Sequence, residues 1–409
     1  MISNQLPDIR NKKPGTRNPE QETRNQKPGT SPAGIYIHIP FCVRKCHYCD
    51  FYSITDHSLV KEFVDALILE MEMYSEIGLL FDTLYIGGGT PSVLESAEID
   101  RIIKNAFSLF QITSDSEITI EVNPGTVTPE SLKSFRQSGI NRINIGIQSF
   151  QDDNLKFLGR IHSAEEGKTA IKCARNAGFE NIGLDLISGI SGQTVKFWIS
   201  DLETAIQFEP EHLSCYMLTY EHGTPLYKDF ENGEFSPLPE SLAASMFGST
   251  GDFLEKNGYI HYEISNFARS EEKKSRHNTK YWNFAPYIGL GPSAHSFYET
   301  RRSWNRRDVS DYIKKIRTGT PSVEGNETLA REQQIIETLF LGLRQKRGID
   351  IGLFNEKFNV RFENVFSETI SDLSGKELIV ICDDKCALTK KGMVLLDTIC
   401  AEFVCRELE

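Results

Sequence analysis

The run Ile35-Tyr-Ile-His-Ile-Pro-Phe-Cys42-Val-Arg-Lys-Cys46-His-Tyr-Cys49-Asp-Phe51 decides how this chain is read. Its first five residues, rich in β-branched and aromatic side chains, predict a strand. Pro40 then breaks it, and three cysteines spaced C-x3-C-x2-C follow within one loop. Thiolates are soft ligands that suit zinc or an iron–sulfur cluster. Structural zinc takes four protein ligands, and the nearest histidines, His38, His47 and His57, lack zinc-finger spacing. A cluster held by Cys42, Cys46 and Cys49 leaves one iron open for a substrate or cofactor. Cysteines buried only for packing do not account for such close, regular spacing.

Downstream, short apolar runs alternate with longer amphipathic segments, the pattern of repeated βα units around a parallel sheet. Strands are predicted at 35–39, 82–87, 117–122, 142–147, 181–187 and 212–218. Helices fall near 58–77, 95–109, 129–138, 163–177 and 194–208. Six such units predict an α/β fold built on a partial (β/α)6 TIM-like barrel. After Pro321 the pattern changes to helices at 329–345, 350–358 and 363–374, an apolar strand at 377–381 and a final helix from about Thr389. That is a small C-terminal helical domain of winged-helix type, so the domains expected are 34–325 and 326–409. Residues 1–33 carry an imperfect heptapeptide repeat (RNKKPGT, RNPEQET, RNQKPGT) and read as a disordered tail.

Composition narrows the function. The net charge of −12 disfavours a nucleic-acid partner, which needs a basic surface. There is no run of some 18 apolar residues for a membrane span and no signal peptide, so a cytoplasmic protein is expected. Without export, the nine cysteines are read as thiols rather than a disulfide scaffold. Cys173, Cys215 and the four from Cys382 to Cys405 are read as buried or incidental.

Each predicted strand ends in an unusual polar or glycine-rich group: the cysteine loop, Gly87-Gly-Gly-Thr-Pro91, Glu121-Val-Asn-Pro124, Gln148-Ser-Phe150, Asp185 and Tyr216. In parallel α/β folds reacting groups gather at the carboxyl ends of strands. These six groups are expected to share one site.

The run from Tyr36 to Cys49 resembles the radical S-adenosylmethionine signature of the oxygen-independent coproporphyrinogen oxidase superfamily. The resemblance implies a radical SAM barrel carrying a 4Fe-4S cluster on Cys42, Cys46 and Cys49, with S-adenosylmethionine chelated at the open iron. An electron from the cluster would then cleave a carbon–sulfur bond to give a 5′-deoxyadenosyl radical. It further implies cofactor contacts from Tyr36, Tyr48, Gly88, Gly89, Thr90, Glu121, Gln148, Arg160 and Asp185.

Two features resemble the haem-chaperone branch of that superfamily. Phe51 stands where the oxidases carry a fourth cysteine, and His277-Asn-Thr-Lys-Tyr-Trp282 matches an HNxxYW motif. Haem thereby becomes an expected ligand, with His277 as the first candidate for its iron and His295 as the second, since imidazole is a common axial ligand. The partners implied are haem-accepting proteins and an electron donor for the cluster. The enzymatic alternative is oxidative decarboxylation of coproporphyrinogen III, which Phe51 speaks against. A nucleic-acid methyl or sulfur transferase is a third class, disfavoured by the acidity.

Replacing any one of Cys42, Cys46 and Cys49 by alanine is expected to abolish the brown absorbance and the iron and sulfide content of reconstituted protein, whereas Phe51→Ala retains both. A full complement of iron in Cys49→Ala would contradict the ligand assignment.

Overall fold

Side chains alternate across a strand, so each strand of a parallel sheet has two faces to satisfy. Here one face is aliphatic: Ile35, Ile37, Ile39, Leu84, Ile86, Ile120, Ile143, Ile145 and Leu184 join Phe63, Leu67, Ile102, Phe135 and Leu202 of the helices in one core. The other face is polar or aromatic, carrying Tyr36, His38, Tyr85, Glu121, Asn144, Gln148 and Asp185 toward a cavity.

The structure is a computed structural model that describes residues 31–405. The repeat assigned to the tail lies outside the described residues. Six strands run parallel in chain order: β1 (Ala33–Ile39), β2 (Leu80–Gly88), β3 (Gln111–Val122), β4 (Arg142–Gln148), β5 (Ile182–Ser188) and β6 (His212–Met217). The helices Val60–Tyr74, Ser96–Leu109, Pro129–Gln137, Ala164–Asn176 and Val195–Ile206 lie within three residues of their expected bounds. The strand expected from Ile35 begins at Ala33, pulling the end of the expected tail into the sheet.

Periodicity did not reveal the segment after β6, where the strands are short or, as in Val323–Thr328, carry a single apolar side chain. β7 (Ile260–Glu263) and β8 (Asn266–Ala268) extend the sheet beyond β6. β9 (Tyr287–Leu290) returns to lie parallel to β1, and β10 (His295–Tyr298), β11 (Arg301–Asn305) and β12 (Val323–Thr328) continue antiparallel. The six-stranded core is therefore the centre of an open twelve-stranded sheet with β12 and β7 at its edges. β12 runs across the expected 325/326 boundary.

Beyond β12, the helices Arg331–Leu343, Ile351–Phe358, Ser367–Gly375 and Leu396–Cys405 combine with a small sheet of β13 (Ile349–Asp350), β14 (Ile379–Cys382) and β15 (Lys385–Leu388). They share a second core of Leu339, Phe354, Phe358, Phe362, Phe366 and Phe403. Three short strands stand here where one, at 377–381, was expected.

One buried carboxylate ties the late strands to the barrel. Glu70, fully buried on the first helix, accepts hydrogen bonds from Gly291 N (2.7 Å), Asn305 Nδ2 (2.7 Å) and Tyr312 Oη (2.7 Å). Burial pushes its carboxyl pKa up. Glu70→Ala leaves Gly291 N and Tyr312 Oη unpaired and Asn305 Nδ2 with Gly291 O alone, and a loss on the order of 3 kcal/mol is expected in urea unfolding. An unchanged midpoint would remove Glu70 as the tie.

Candidate functional site

The cysteine loop leaves β1 at Pro40 and is fastened at several points. Ile54 N donates to Pro40 O (2.8 Å) and Cys42 N to Ile54 O (2.9 Å), closing the base of the loop. Arg44 reaches across to the carbonyls of Gly159 and Arg160, both at 2.8 Å. Further along the loop, His47 N donates to Leu158 O (3.1 Å). At the end of β2, Gly89 N and Thr90 N donate to Ile39 O and Phe41 O, each at 2.8 Å.

That junction explains the glycines. A Cβ on Gly88, whose φ is +109°, would lie 2.7 Å from the His38 ring, and one on Gly89 would lie 2.7 Å from Phe41 O and 3.1 Å from Cys42 Sγ. The sequence reading had these glycines admitting a ligand. In the structure they first admit another part of the chain, because any side chain would push β2 away from the cysteine loop.

The three sulfurs line one cavity of about 930 Å³. Thr90 Oγ1 accepts from Asn123 Nδ2 (2.8 Å), which leaves its own proton for Cys42 Sγ at 3.3 Å. Cys46 Sγ accepts from Arg160 Nη1 at 3.3 Å. Burial pushes the Cys49 thiol up to about 11. The described cysteines form no disulfide, and among the described residues no three His, Cys, Asp or Glu side chains converge as for a single metal ion. A cluster asks for a different arrangement, with sulfurs on separate irons around a shared space and hydrogen bonds to those sulfurs. The loop fits that requirement.

Every other expected cofactor residue lines the same cavity: Tyr36, Tyr48, Gly88, Gly89, Thr90, Glu121, Gln148, Arg160 and Asp185. Three of them, and Asn144 beside them, keep buried polar atoms without a partner: Gln148 Oε1, Arg160 Nε, Asp185 Oδ1 and Asn144 Oδ1. Orphaned polar atoms are costly unless something satisfies them. This mixture of acceptors and a donor, converging beside the sulfurs, suits a nucleoside and amino-acid cofactor such as S-adenosylmethionine. Gln148 also adopts φ +67°, an uncommon backbone state for a non-glycine residue, at the end of β4.

Glu121 accepts from Tyr85 Oη (2.6 Å) and Gly88 N (3.2 Å), while Asp185 accepts from Asn144 Nδ2 (2.6 Å). Burial raises both carboxyls, Glu121 to about 7. Arg160 Nη2 bonds Gly146 O (2.8 Å) and Asn123 Oδ1. The sequence reading missed Tyr85, Asn144 and His38, and placed Asn123 at the site only as part of the Glu121–Pro124 group. Polar residues alternating with isoleucines in strands β1 to β4 are the signal that marks all of these except Asn123, which follows its strand. His38 accepts from Tyr36 Oη at Nδ1 (3.1 Å) and donates from Nε2 to Tyr52 O (2.9 Å), and burial lowers its pKa to about 4.

The two candidate haem histidines are placed very differently. His277, on the short helix Arg276–Trp282, is buried near the start of β1 and β2, bonding Thr83 Oγ1 (2.8 Å) through Nδ1 and Tyr281 Oη (2.8 Å) through Nε2. Its backbone N donates to Glu117 (3.1 Å), and burial lowers its pKa to about 3. Neither ring nitrogen is free. His295 is exposed at the cavity edge on β10, stacked on Trp304 at 6.0 Å, with no hydrogen bond to its ring among the described residues.

Residues 36–204 match the Radical SAM superfamily and 329–395 the HemN C-terminal domain. The chain is 36% identical to Heme chaperone HemW of Bacillus subtilis over 377 residues, covering 90% of this chain and 98% of that one. It is 34% identical to Heme chaperone HemW of Lactococcus lactis, covering 91% and 97%. The solved structure of the coproporphyrinogen III oxidase HemN from Escherichia coli superposes with a TM-score of 0.79 at 24% identity, covering 92% of this chain and 91% of that one, which establishes a shared fold.

The raised Glu121 carboxyl has a measurable consequence. Its ordinary pKa is 4.5, so between there and about 7 the folded chain holds a proton that the unfolded chain has released. Stability therefore falls as pH rises through that window. Glu121→Gln is expected to flatten this part of the profile when urea unfolding is compared at about pH 5 and about pH 8; an identical slope would show that Glu121 is not its source. Gly89→Ala should separate β2 from the cysteine loop and lower bound iron at least severalfold, read by iron and sulfide analysis.

Proposed function

We propose, from the fact that this chain belongs to the radical S-adenosylmethionine superfamily and within it to the haem chaperone HemW family, that it binds haem and passes it to acceptor proteins. The observation that carries this reading is a single cavity with sulfurs at one part of its wall and aromatic and imidazole side chains at another. Tyr36, Tyr85, Tyr281, Tyr287, His277 and His295 supply the second part. The volume is at the upper end of small-molecule sites, and aromatic walls suit a flat macrocycle.

Cys42, Cys46 and Cys49 would hold the 4Fe-4S cluster. Gln148, Arg160, Asp185, Glu121 and the Gly88–Thr90 turn would hold S-adenosylmethionine beside it, with Tyr36 and Tyr48 completing the wall. When bound, these groups supply one-electron chemistry able to open a carbon–sulfur bond. The chain's own residues orient the cofactor and shield the sulfurs. An external electron donor is then required. No described helix is long and apolar enough to cross a membrane, and the free thiols accord with a reducing cytoplasm.

Of the two imidazoles, His295 presents open nitrogens, whereas His277 would first give up its bonds to Thr83 and Tyr281. His295→Ala is therefore expected to weaken haem binding by about tenfold or more, with full iron and sulfide retained. His277→Ala should act mainly through stability. The reverse pattern in a haem titration would make His277 the ligand.

The oxidase reading is tested with the same protein. Incubated anaerobically with coproporphyrinogen III, S-adenosylmethionine and reductant, it is expected to form no protoporphyrinogen while still taking up haem. Formation of protoporphyrinogen would overturn a purely chaperone role.

A further inference from the structure

Among the guanidinium groups lining the cavity, two are already committed. Arg44 is spent on the carbonyls of Gly159 and Arg160, and Arg160 on Cys46, Asn123 and Gly146. The third, Arg307, is exposed on the wall and has no hydrogen-bond or ion-pair partner among the described residues. Its neighbour Arg302 differs, being paired with Glu327 (3.2 Å) and Glu337 (2.5 Å).

The chain around Arg307 is held firmly. Asn305 is bonded to Glu70 and to Gly291 O (3.0 Å), Arg306 N donates to Ser322 O (2.9 Å), and Val309 N donates to Tyr52 Oη (3.1 Å). Its charge is felt by His38, Tyr52 and His295. The side chain shares the cavity wall with Tyr52, just beyond the cysteine loop, and with His295, whose ring stacks on Trp304. A fixed backbone presenting an unpaired guanidinium at an aromatic rim has the chemistry of a carboxylate receptor, because arginine pairs with carboxylates through two parallel hydrogen bonds.

We propose that Arg307 is a specificity-determining residue that binds a carboxylate substituent of a flat aromatic macrocycle whose face lies against His295. This rests on the haem reading above and sharpens it: the propionate edge of the ligand would point toward Arg307. Selection is then between macrocycles that carry free carboxylates and those that do not. The anchor also sets which edge remains exposed for hand-over.

The test titrates cluster-loaded, full-length wild-type, Arg307→Gln and Arg307→Lys proteins with haem, with haem dimethyl ester in mild detergent, and with S-adenosylmethionine. Arg307→Gln is expected to weaken haem binding on the order of tenfold, with Arg307→Lys intermediate. The dimethyl ester should bind wild type and Arg307→Gln equally. S-adenosylmethionine affinity should not change. Equal weakening for haem and its ester, no weakening for haem, or weakening for S-adenosylmethionine would each overturn the assignment. If wild type binds neither haem nor the ester, the haem reading itself falls and Arg307's role falls with it. Because Arg307 is exposed and unbonded, Arg307→Gln should unfold at the wild-type urea midpoint, which separates lost recognition from lost structure.

Discussion

Two backbone hydrogen bonds, from Gly89 N to Ile39 O and from Thr90 N to Phe41 O, are the joint on which the site depends. They continue the pairing of β1 with β2 past the ends of both strands, where the chain would otherwise diverge. Once they form, Thr90 comes within reach of Cys42 and of Asn123, and Asn123 in turn reaches Arg160. Arg160 completes the path back to Cys46. The cysteine loop is thereby set against three strand ends by a chain of contacts that starts from the backbone. Only residues without a Cβ permit it, since the space beside Gly88 and Gly89 is filled by His38, Phe41 and Cys42.

The sheet's inner face carries an unusual load of polar groups for a protein interior. Arg142 is 1% exposed, and its Nε and Nη1 have no partner. Glu121 and Asp185 hold raised pKa values beside it, with desolvation the leading cause. Replacing such groups by aliphatics would often stabilise a fold. The retention of Glu121 and Asp185 along the wall of one cavity, with acceptors left unsatisfied at Asn144, Gln148 and Asp185, fits a structure whose interior is completed by a ligand.

The cavity is asymmetric along the strands. Thr83, which bonds His277, pairs with Gly34 near the start of β1, whereas Gly88 pairs with Ile39 at its end. Five residues of β2 separate those levels, roughly 16 Å at the usual rise. The HNxxYW helix closes the lower level: Arg276 and Lys280 pair with Asp82, and Glu117 receives two backbone donors. The motif therefore makes the floor of the cavity, and the accessible imidazole belongs to the late strand pair that Glu70 holds in place. On the proposed reading, a macrocycle meets His295 and Arg307 at the rim before it could approach His277.

The sequence alone determined the α/β class, the six parallel strands and their helices, and the gathering of the cysteine loop, glycine turn and strand-end polar residues at one site. All of these follow from local chemistry: side-chain period, turn residues and metal-ligand spacing act within a few residues of one another. The tertiary structure decided the antiparallel strands after β6, the true duty of the glycines, the closure of His277 and the freedom of Arg307. None of those is a local property. Whether a ring nitrogen or a guanidinium is open depends on partners such as Thr83 or Glu337, which lie far away in the chain, and on what the fold does not bring near. The three cysteines could be recognised at once because their partners lie in a single loop; the residues that choose a ligand could not, because they are defined by who stands beside them.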